Sequence, residues 1–273
     1  MIVKSKVSAP VIFYNHEDAD WNNSNVMPPI RKTLSDKKGY LPVTQMFPTI
    51  EGEGLHLGTP RFFLRLGGCP VGCFQCDSSF TFGIKNSTLY KVEDLAKLVI
   101  DETRKAHMRE VSITGGEPML YPEELRDLVI LLRKASLHVS LETSGMILES
   151  SIFRFFDYIS MDIKTPSSKV HVTLEQIDFI ARVAAAHSGV QLKAVIWDEF
   201  DLTWIEQSCF RFIDPTSFGK PLILTPGSPE VTEKTDRLEL IAHWQKIYDM
   251  IQNWNKGYNI RIVPQIHKIF SWE

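Results

Sequence analysis

The 273-residue sequence predicts an α/β protein built on a mainly parallel sheet. Two patterns carry that expectation. From about residue 60 onward, short apolar runs alternate with segments whose apolar residues recur at helical spacing, as in βαβ units with helices on the outside. Glycine-rich segments bearing reactive side chains also fall just after the strand candidates, where ligands gather in doubly wound sheets and barrels alike.

In chain order, "RFFLRL" (61–66) is a strand candidate that ends at Gly67-Gly68. Residues 91–107 place Val92, Leu95, Ala96, Val99 and Ile100 on one helical face. "EVSIT" (110–114) reads as a strand stopped by Gly115-Gly116. Pro122 opens the next helix, at a position where its missing N–H costs little. "LHVSLET" (137–143), a short helix near 148–155 and "YISMDI" (158–163) follow. Thr173, with Gln176 three residues on, has the form of a capping box for another helix. "VQLKAVIW" (190–197), "PLILT" (221–225) and "NIRIV" (259–263) complete seven strand candidates, with a long helix over 231–256. Seven strands suit an open barrel or a doubly wound sheet, and periodicity does not choose between them.

Residues 1–40 differ from the rest. They are polar, rich in Asn and Asp and broken by Pro28-Pro29, which reads as a flexible N-terminal extension or a docking arm for a second subunit. The remaining residues, 41–273, form the expected folded domain. With 44% hydrophobic residues the chain can bury a sizeable core, and a net charge of −3 gives no sign of a nucleic-acid-binding surface. No apolar run approaches the ~20 residues that span a bilayer, and the N-terminus has no small-residue cleavage site of a signal peptide. Four cysteines are too few for a disulfide scaffold and fit thiols kept reduced in the cytoplasm.

Three of those cysteines, Cys69, Cys73 and Cys76, crowd into "LGGCPVGCFQCDSSF" as C-x3-C-x2-C. An odd group of three cannot close as internal disulfides. A structural zinc wants four N or S ligands, and the nearby candidates His56 and Asp77 are imperfect while Cys209 lies far along the chain. Three thiolates on an iron–sulfur cubane leave one iron free for chemistry. On spacing alone, an open cluster, a zinc centre and three unrelated buried cysteines all stand as readings.

The triad after a first strand, with Phe74 between its second and third cysteines, resembles the radical S-adenosylmethionine superfamily, and "TGGEP" (114–118) matches the segment that superfamily turns toward the cofactor's amino group. The flanks "FPTIEGEGLHLGTPRFFLRLGGC" (47–69), "CDSSF", "MDIKTPSS" (161–168) and "PQIHK" (264–268) further resemble the 7-carboxy-7-deazaguanine synthase family. The resemblance covers about residues 40–273 and implies an open, partial β/α barrel as the catalytic domain. It implies conversion of 6-carboxy-5,6,7,8-tetrahydropterin to 7-carboxy-7-deazaguanine with loss of ammonia, in queuosine-type 7-deazapurine biosynthesis. A 4Fe-4S cluster on the three cysteines, S-adenosylmethionine and Mg²⁺ are the implied cofactors. A small-molecule pterin substrate, an electron donor such as flavodoxin or ferredoxin and a homodimer are the implied partners, with no nucleic acid and no membrane.

Residue by residue, the resemblance implies substrate contacts at Ile50, Glu51, Gly52, Arg65, Thr114 and His267. Arg65 would grip the substrate carboxylate with a bidentate fork. Glu273 at the end of the chain could also line the pocket. Cofactor contacts are implied at Gln75, Cys76, Asp77, Gly116, Glu117 and Glu142, and at Asp162, Ile163 and Lys164, where the family more often shows Ser-Pro-Lys. The same holds for Thr225, Pro226, Gly227 and Ser228, although the family often has Gln-Pro in place of Thr225-Pro226. Magnesium would sit on Ser78, where the family has a threonine hydroxyl. A glycyl-radical-enzyme activase of the same superfamily shares the triad and "TGGEP", but needs neither "FPTIEGEG" nor "PQIHK". A zinc-binding module without catalysis is the alternative outside the superfamily.

Overall fold

The computed structural model describes residues 38–229 and 236–270. A single nine-stranded sheet organises them. Its strands are β1 (Tyr40–Ile50), β2 (Pro60–Leu66), β3 (Thr88–Lys91), β4 (Glu110–Gly115), β5 (His138–Thr143), β6 (Tyr158–Ile163), β7 (Val190–Ile196), β8 (Leu222–Pro226) and β9 (Ile260–Ile262), in the order β3-β1-β2-β4-β5-β6-β7-β8-β9. From β2 to β9 every pairing is parallel, so all seven sequence-predicted strands are present and adjacent in chain order.

Two strands escape the sequence pattern. β1 and β3 form an antiparallel edge on β2, with β1 paired to both. β1 carries Pro42 and Pro48, which break the alternation that marks a strand, and its register shifts between Val43 and Gln45.

The helices are α1 (Val92–Lys105), α2 (Pro122–Lys134), α3 (Leu174–Ala186), α4 (Glu199–Trp204), α5 (Arg237–Trp254) and α6 (Ile266–Phe270). α1 buries Val92, Leu95, Ala96 and Val99, while Ile100 is half-buried. The capping box of α3 forms in both directions, with Gln176 N–H donating to Thr173 Oγ1 at 3.2 Å and Thr173 N–H to Gln176 Oε1 at 2.8 Å. The helix expected near 148–155 is reduced to one 3₁₀ turn, Phe153–Phe155. The helix expected over 231–256 begins at Arg237 behind an Asp236 cap and ends at Trp254, and residues 230–235 lie outside the described residues.

The sheet is open at β3 and β9 but strongly curled. Flat strands about 4.8 Å apart would put β7 about 19 Å from β2. Yet the loop joining β1 to β2 reaches β7 directly, with Leu55 N–H donating to Gln191 Oε1 at 2.9 Å. Curling divides the strand residues by period two. Leu64, Ile113, Leu141, Met161, Leu192 and Leu224 are buried apolar residues of the main core. The alternate residues Arg61, Ser112, Ser140, Ser160, Gln191 and Lys193 are also buried, yet polar. A parallel sheet covered on both faces normally reads as continuous apolar runs. Here one face lines a polar barrel interior instead.

Candidate functional site

At the C-terminal ends of the strands the curled sheet holds a cleft of about 230 Å³. The cysteine loop follows β2 and is stitched in place by backbone bonds. Gly68 N–H donates to Thr81 O at 2.8 Å, Cys69 N–H to Phe82 O at 3.0 Å and Phe74 N–H to Ser168 O at 2.8 Å. The loop turns through the left-handed region at Gly68, Gly72 and Gln75. Cys69, Cys73 and Cys76 all line the cleft and are free thiols.

Burial pushes the Cys69 thiol up to about 12, and the neighbouring Cys73 adds to it. Burial and the nearby Asp77 likewise raise Cys76. Burial raises Cys73 as well, with Lys164 opposing it. Burial thus favours the neutral thiols, and a metal centre that deprotonates them would supply the compensating charge. Three thiols of one loop lining one cleft, with Lys164 beside Cys73, suit a cluster with three protein ligands.

"TGGEP" packs against this loop backbone to backbone. Gly116 N–H donates to Leu66 O at 2.9 Å and Glu117 N–H to Gly68 O at 2.8 Å. A Cβ on Gly116 would stand 2.2 Å from Gly68 O, so the approach requires glycine. Glu117 is fully buried and does not line the cleft. Its carboxylate accepts from Met119 N–H, the Thr143 hydroxyl at 2.8 Å, and the N–H and hydroxyl of Ser144. It ties β4 to the turn after β5.

Along the rim, Arg65 Nη1 donates to the Ser78 hydroxyl at 2.5 Å, and Ser78 donates to Asp77 Oδ1 at 3.3 Å. His267 Nε2 lies 3.7 Å from Asp77 Oδ2, and Lys268 Nζ 3.9 Å from the same oxygen. Burial works against the Asp77 charge, but the facing His267 and Lys268 outweigh it and hold the carboxyl well below its ordinary range. Glu53, Asp77 and His267 bring ligand atoms within 4.8 Å of one another.

The cleft also holds a charged network that joins Asp162 and Lys164 to two residues the sequence reading did not single out, Lys193 and Glu53. Lys193 on β7 pairs with Glu53, from the β1–β2 loop, and stands 3.4 Å from Asp162 Oδ1; Lys164 Nζ donates to Asp162 Oδ2 at 2.7 Å. Burial disfavours each of these charges, but the pairings override it, lowering Asp162 and raising Lys164 and Lys193. Glu51 responds oppositely. Burial and the nearby Glu142 push its carboxyl up to about 8, against the pull of Arg61.

The cleft thus brings together Ile50, Glu51, Gly52, Arg65, Cys69, Cys73, Gln75, Cys76, Asp77, Ser78, Thr114, Gly116, Glu142, Asp162, Ile163, Lys164, Ser228 and His267. Thr225, Pro226 and Gly227 do not line it. Thr225 is fully buried, and a Cβ on Gly227 would stand 2.4 Å from the Trp197 ring. Trp197 itself faces the cleft, as do Glu53, Lys193, Gln265 and Lys268. The signal for Lys193 was available, as a charged residue inside the strand candidate "VQLKAVIW". Glu273 lies outside the described residues.

Comparison with known proteins agrees with this geometry. Residues 64–188 match the Radical SAM superfamily. A 7-carboxy-7-deazaguanine synthase of Bacillus subtilis (strain 168) is 28% identical over 239 residues, covering 84% of this chain and 95% of the relative. One from Methanocaldococcus jannaschii is 29% identical over 250 residues, covering 83% and 98%. The crystal structure of QueE from Escherichia coli superposes with a TM-score of 0.57 at 22% identity over 89% of this chain, a likeness of fold. Residues 64–188 thus form a radical SAM domain, and the relatives matched along most of the chain are 7-carboxy-7-deazaguanine synthases.

Proposed function

We propose that the chain is a 7-carboxy-7-deazaguanine synthase, converting 6-carboxy-5,6,7,8-tetrahydropterin to 7-carboxy-7-deazaguanine with loss of ammonia. The observation that carries this reading is one cleft in which the three-thiol loop faces Arg65, Glu51 and His267. A 4Fe-4S cluster on Cys69, Cys73 and Cys76, with S-adenosylmethionine on its open iron, would supply the radical that removes hydrogen from pterin carbon 6.

The chain's own residues bind and orient. Arg65 turns from the Ser78 hydroxyl to fork the substrate carboxylate. Glu51, largely protonated below its raised pKa, can both donate to and accept from the pterin edge, with Ile50, Gly52, Thr114 and His267 closing around it. Gln75, Cys76, Asp77, Gly116, Glu142, Asp162, Ile163, Lys164 and Ser228 line the cofactor side, while Glu117 acts from behind by holding the turn at Ser144. Magnesium on the Ser78 hydroxyl would share that oxygen with Arg65 Nη1, so metal and carboxylate binding would draw on the same pair of side chains. An electron donor of flavodoxin or ferredoxin type, and a homodimer, complete the proposal.

Anaerobic reconstitution with iron and sulfide, followed by S-adenosylmethionine, reductant and carboxytetrahydropterin, tests it. The expected products are 5′-deoxyadenosine and the deazapurine. A brown, cluster-loaded protein that forms 5′-deoxyadenosine but no deazapurine would overturn the substrate assignment, and a colourless zinc protein would overturn the cluster.

A further inference from the structure

The catalytic cleft is not the end of the polar interior. A second cavity of about 490 Å³ opens at the opposite end of the barrel, lined by the first residues of successive strands: Glu110, His138, Tyr158 and Val190. Between the two lies a neck of about 10 Å³, room for about one water. The neck shares Glu51, Glu53, Glu142, Ser160 and Lys193 with the catalytic cleft, and His56, Arg61 and Tyr158 with the far cavity. The three spaces therefore follow one another along the barrel axis.

The groups around the neck are suited to moving protons. Arg61 is 1% exposed, donates from Nη1 to Ser140 Oγ at 2.5 Å, and stands with Nε 3.7 Å from Glu51 Oε2. Arg61 Nε and Tyr158 Oη are buried without a hydrogen-bond partner among the described residues, and both residues border the neck. Unsatisfied donors beside a water-sized space point to a bridging water. The His56 ring lies 4.1 Å from the Tyr158 ring at the far mouth. Burial and the Arg61 charge keep that imidazole below its ordinary pKa, which favours the neutral ring, with one nitrogen to donate and one to accept. Other charges near Glu51 are Glu142 from β5, Glu53 from its own loop and Lys193 from β7. The Glu142 oxygens are already taken by Ser112 at 3.2 Å and Thr114 at 3.1 Å.

We propose that Glu51 exchanges its proton with solvent through the barrel axis, by way of a water held at Arg61, the Tyr158 hydroxyl and His56, to a second mouth at the N-terminal ends of the strands. The physical need arises when cofactor and substrate fill the C-terminal mouth, because Glu51 is then cut off from water on that side. Only protons move: Glu51 gives one to a polar group in the cleft and regains one from water at the far mouth, and nothing is oxidised or reduced. The inference rests on the proposed cleft being the site that fills, but its readout does not require turnover of the pterin.

Infrared spectroscopy of the cluster-loaded protein tests it. The Glu51 carboxyl band is identified by its loss in Glu51→Gln, and its shift on transfer to D2O is timed with the cleft empty and with S-adenosylmethionine and carboxytetrahydropterin both bound, no reductant being added so that no turnover occurs. Wild type should exchange at similar rates in both states. Tyr158→Phe should slow exchange about ten-fold or more with the cleft filled, and leave it unchanged with the cleft empty. If Tyr158→Phe exchanged as fast as wild type in the filled state, the axial path would be wrong. His56→Phe reads the same path independently should Tyr158→Phe fold poorly. A failed pterin assay alongside slowed exchange would remove the substrate assignment and keep the conduit.

Discussion

Arg65 Nη1 donates to the Ser78 hydroxyl at 2.5 Å, which joins the inward end of β2 to the residues that follow the third cysteine. The guanidinium also lies 5.6 Å from the centre of the Phe47 ring and 5.9 Å from that of Phe63. Its Nε is buried without a hydrogen-bond partner among the described residues. Two aromatic walls therefore hold a cation with donors to spare at the edge of the cleft, a preorganised seat for a carboxylate.

Arg65→Ala should raise KM for the carboxytetrahydropterin by about 10- to 100-fold, as expected for losing hydrogen bonds to a charged group. Arg65→Lys should recover little of it, because an ammonium has no fork. Steady-state kinetics with unchanged iron content checks this. An unaltered KM in both variants would remove Arg65 from the substrate.

Cys73→Ala removes one of three thiol ligands while leaving the loop's backbone bonds intact. The variant should fold, bind little or no iron and sulfide after reconstitution, and form neither product. Iron analysis and visible absorbance measure it directly.

Lys193→Met should destabilise the fold by about 3–5 kcal/mol, because Glu53 and Asp162 would each lose a buried cationic partner. Denaturant unfolding gives the value. Adding Glu53→Gln to Lys193→Met should return part of the loss, since one stranded charge is then removed. A non-coupled pair would instead show additive losses.

The raised Glu51 carboxyl gives a pH dependence of definite sign. A carboxyl whose folded pKa lies near 8 binds a proton more tightly than in the unfolded chain, where it titrates near the ordinary glutamate value of 4.5. Its contribution is fully present below the unfolded value and is lost as pH rises toward 8. Glu51→Gln should therefore match wild-type stability near pH 4 and exceed it increasingly up to pH 8, by about 1 kcal/mol or more. Melting curves of the two proteins across that range test it, and a constant difference would refute the shift.

Gly116→Ala places a methyl 2.2 Å from the carbonyl of Gly68, backbone against backbone. The contact cannot be relieved by a side-chain rotation, so the cysteine loop must move. A loss of about 1–3 kcal/mol is expected, together with weaker cluster retention, read from melting temperature and iron content.

Much of the architecture was legible from residue order alone. Strand candidates and glycine stops depend on local spacing, so β2 and β4 through β9 and the turns at Gly67-Gly68 and Gly115-Gly116 could be read directly. The clustering of Cys69, Cys73 and Cys76 in eight positions likewise needs no fold to bring them together. β1 was illegible because its two prolines hide the alternation and it pairs antiparallel with both neighbours, β2 and the edge strand β3, outside the repeating βαβ pattern.

Contacts between distant segments belonged to the tertiary structure. Lys193 and Glu53 are separated by 140 positions, and Gln265 and Glu53 by 212, so only the curl of the sheet makes them neighbours. The same curl turns period-two polar residues into a lined interior and opens it at both ends. Spacing along the chain determined which residues could act as ligands. The bending of nine strands around a polar axis decided which charges they would meet there, because burial makes each charge depend on whatever partner the fold supplies.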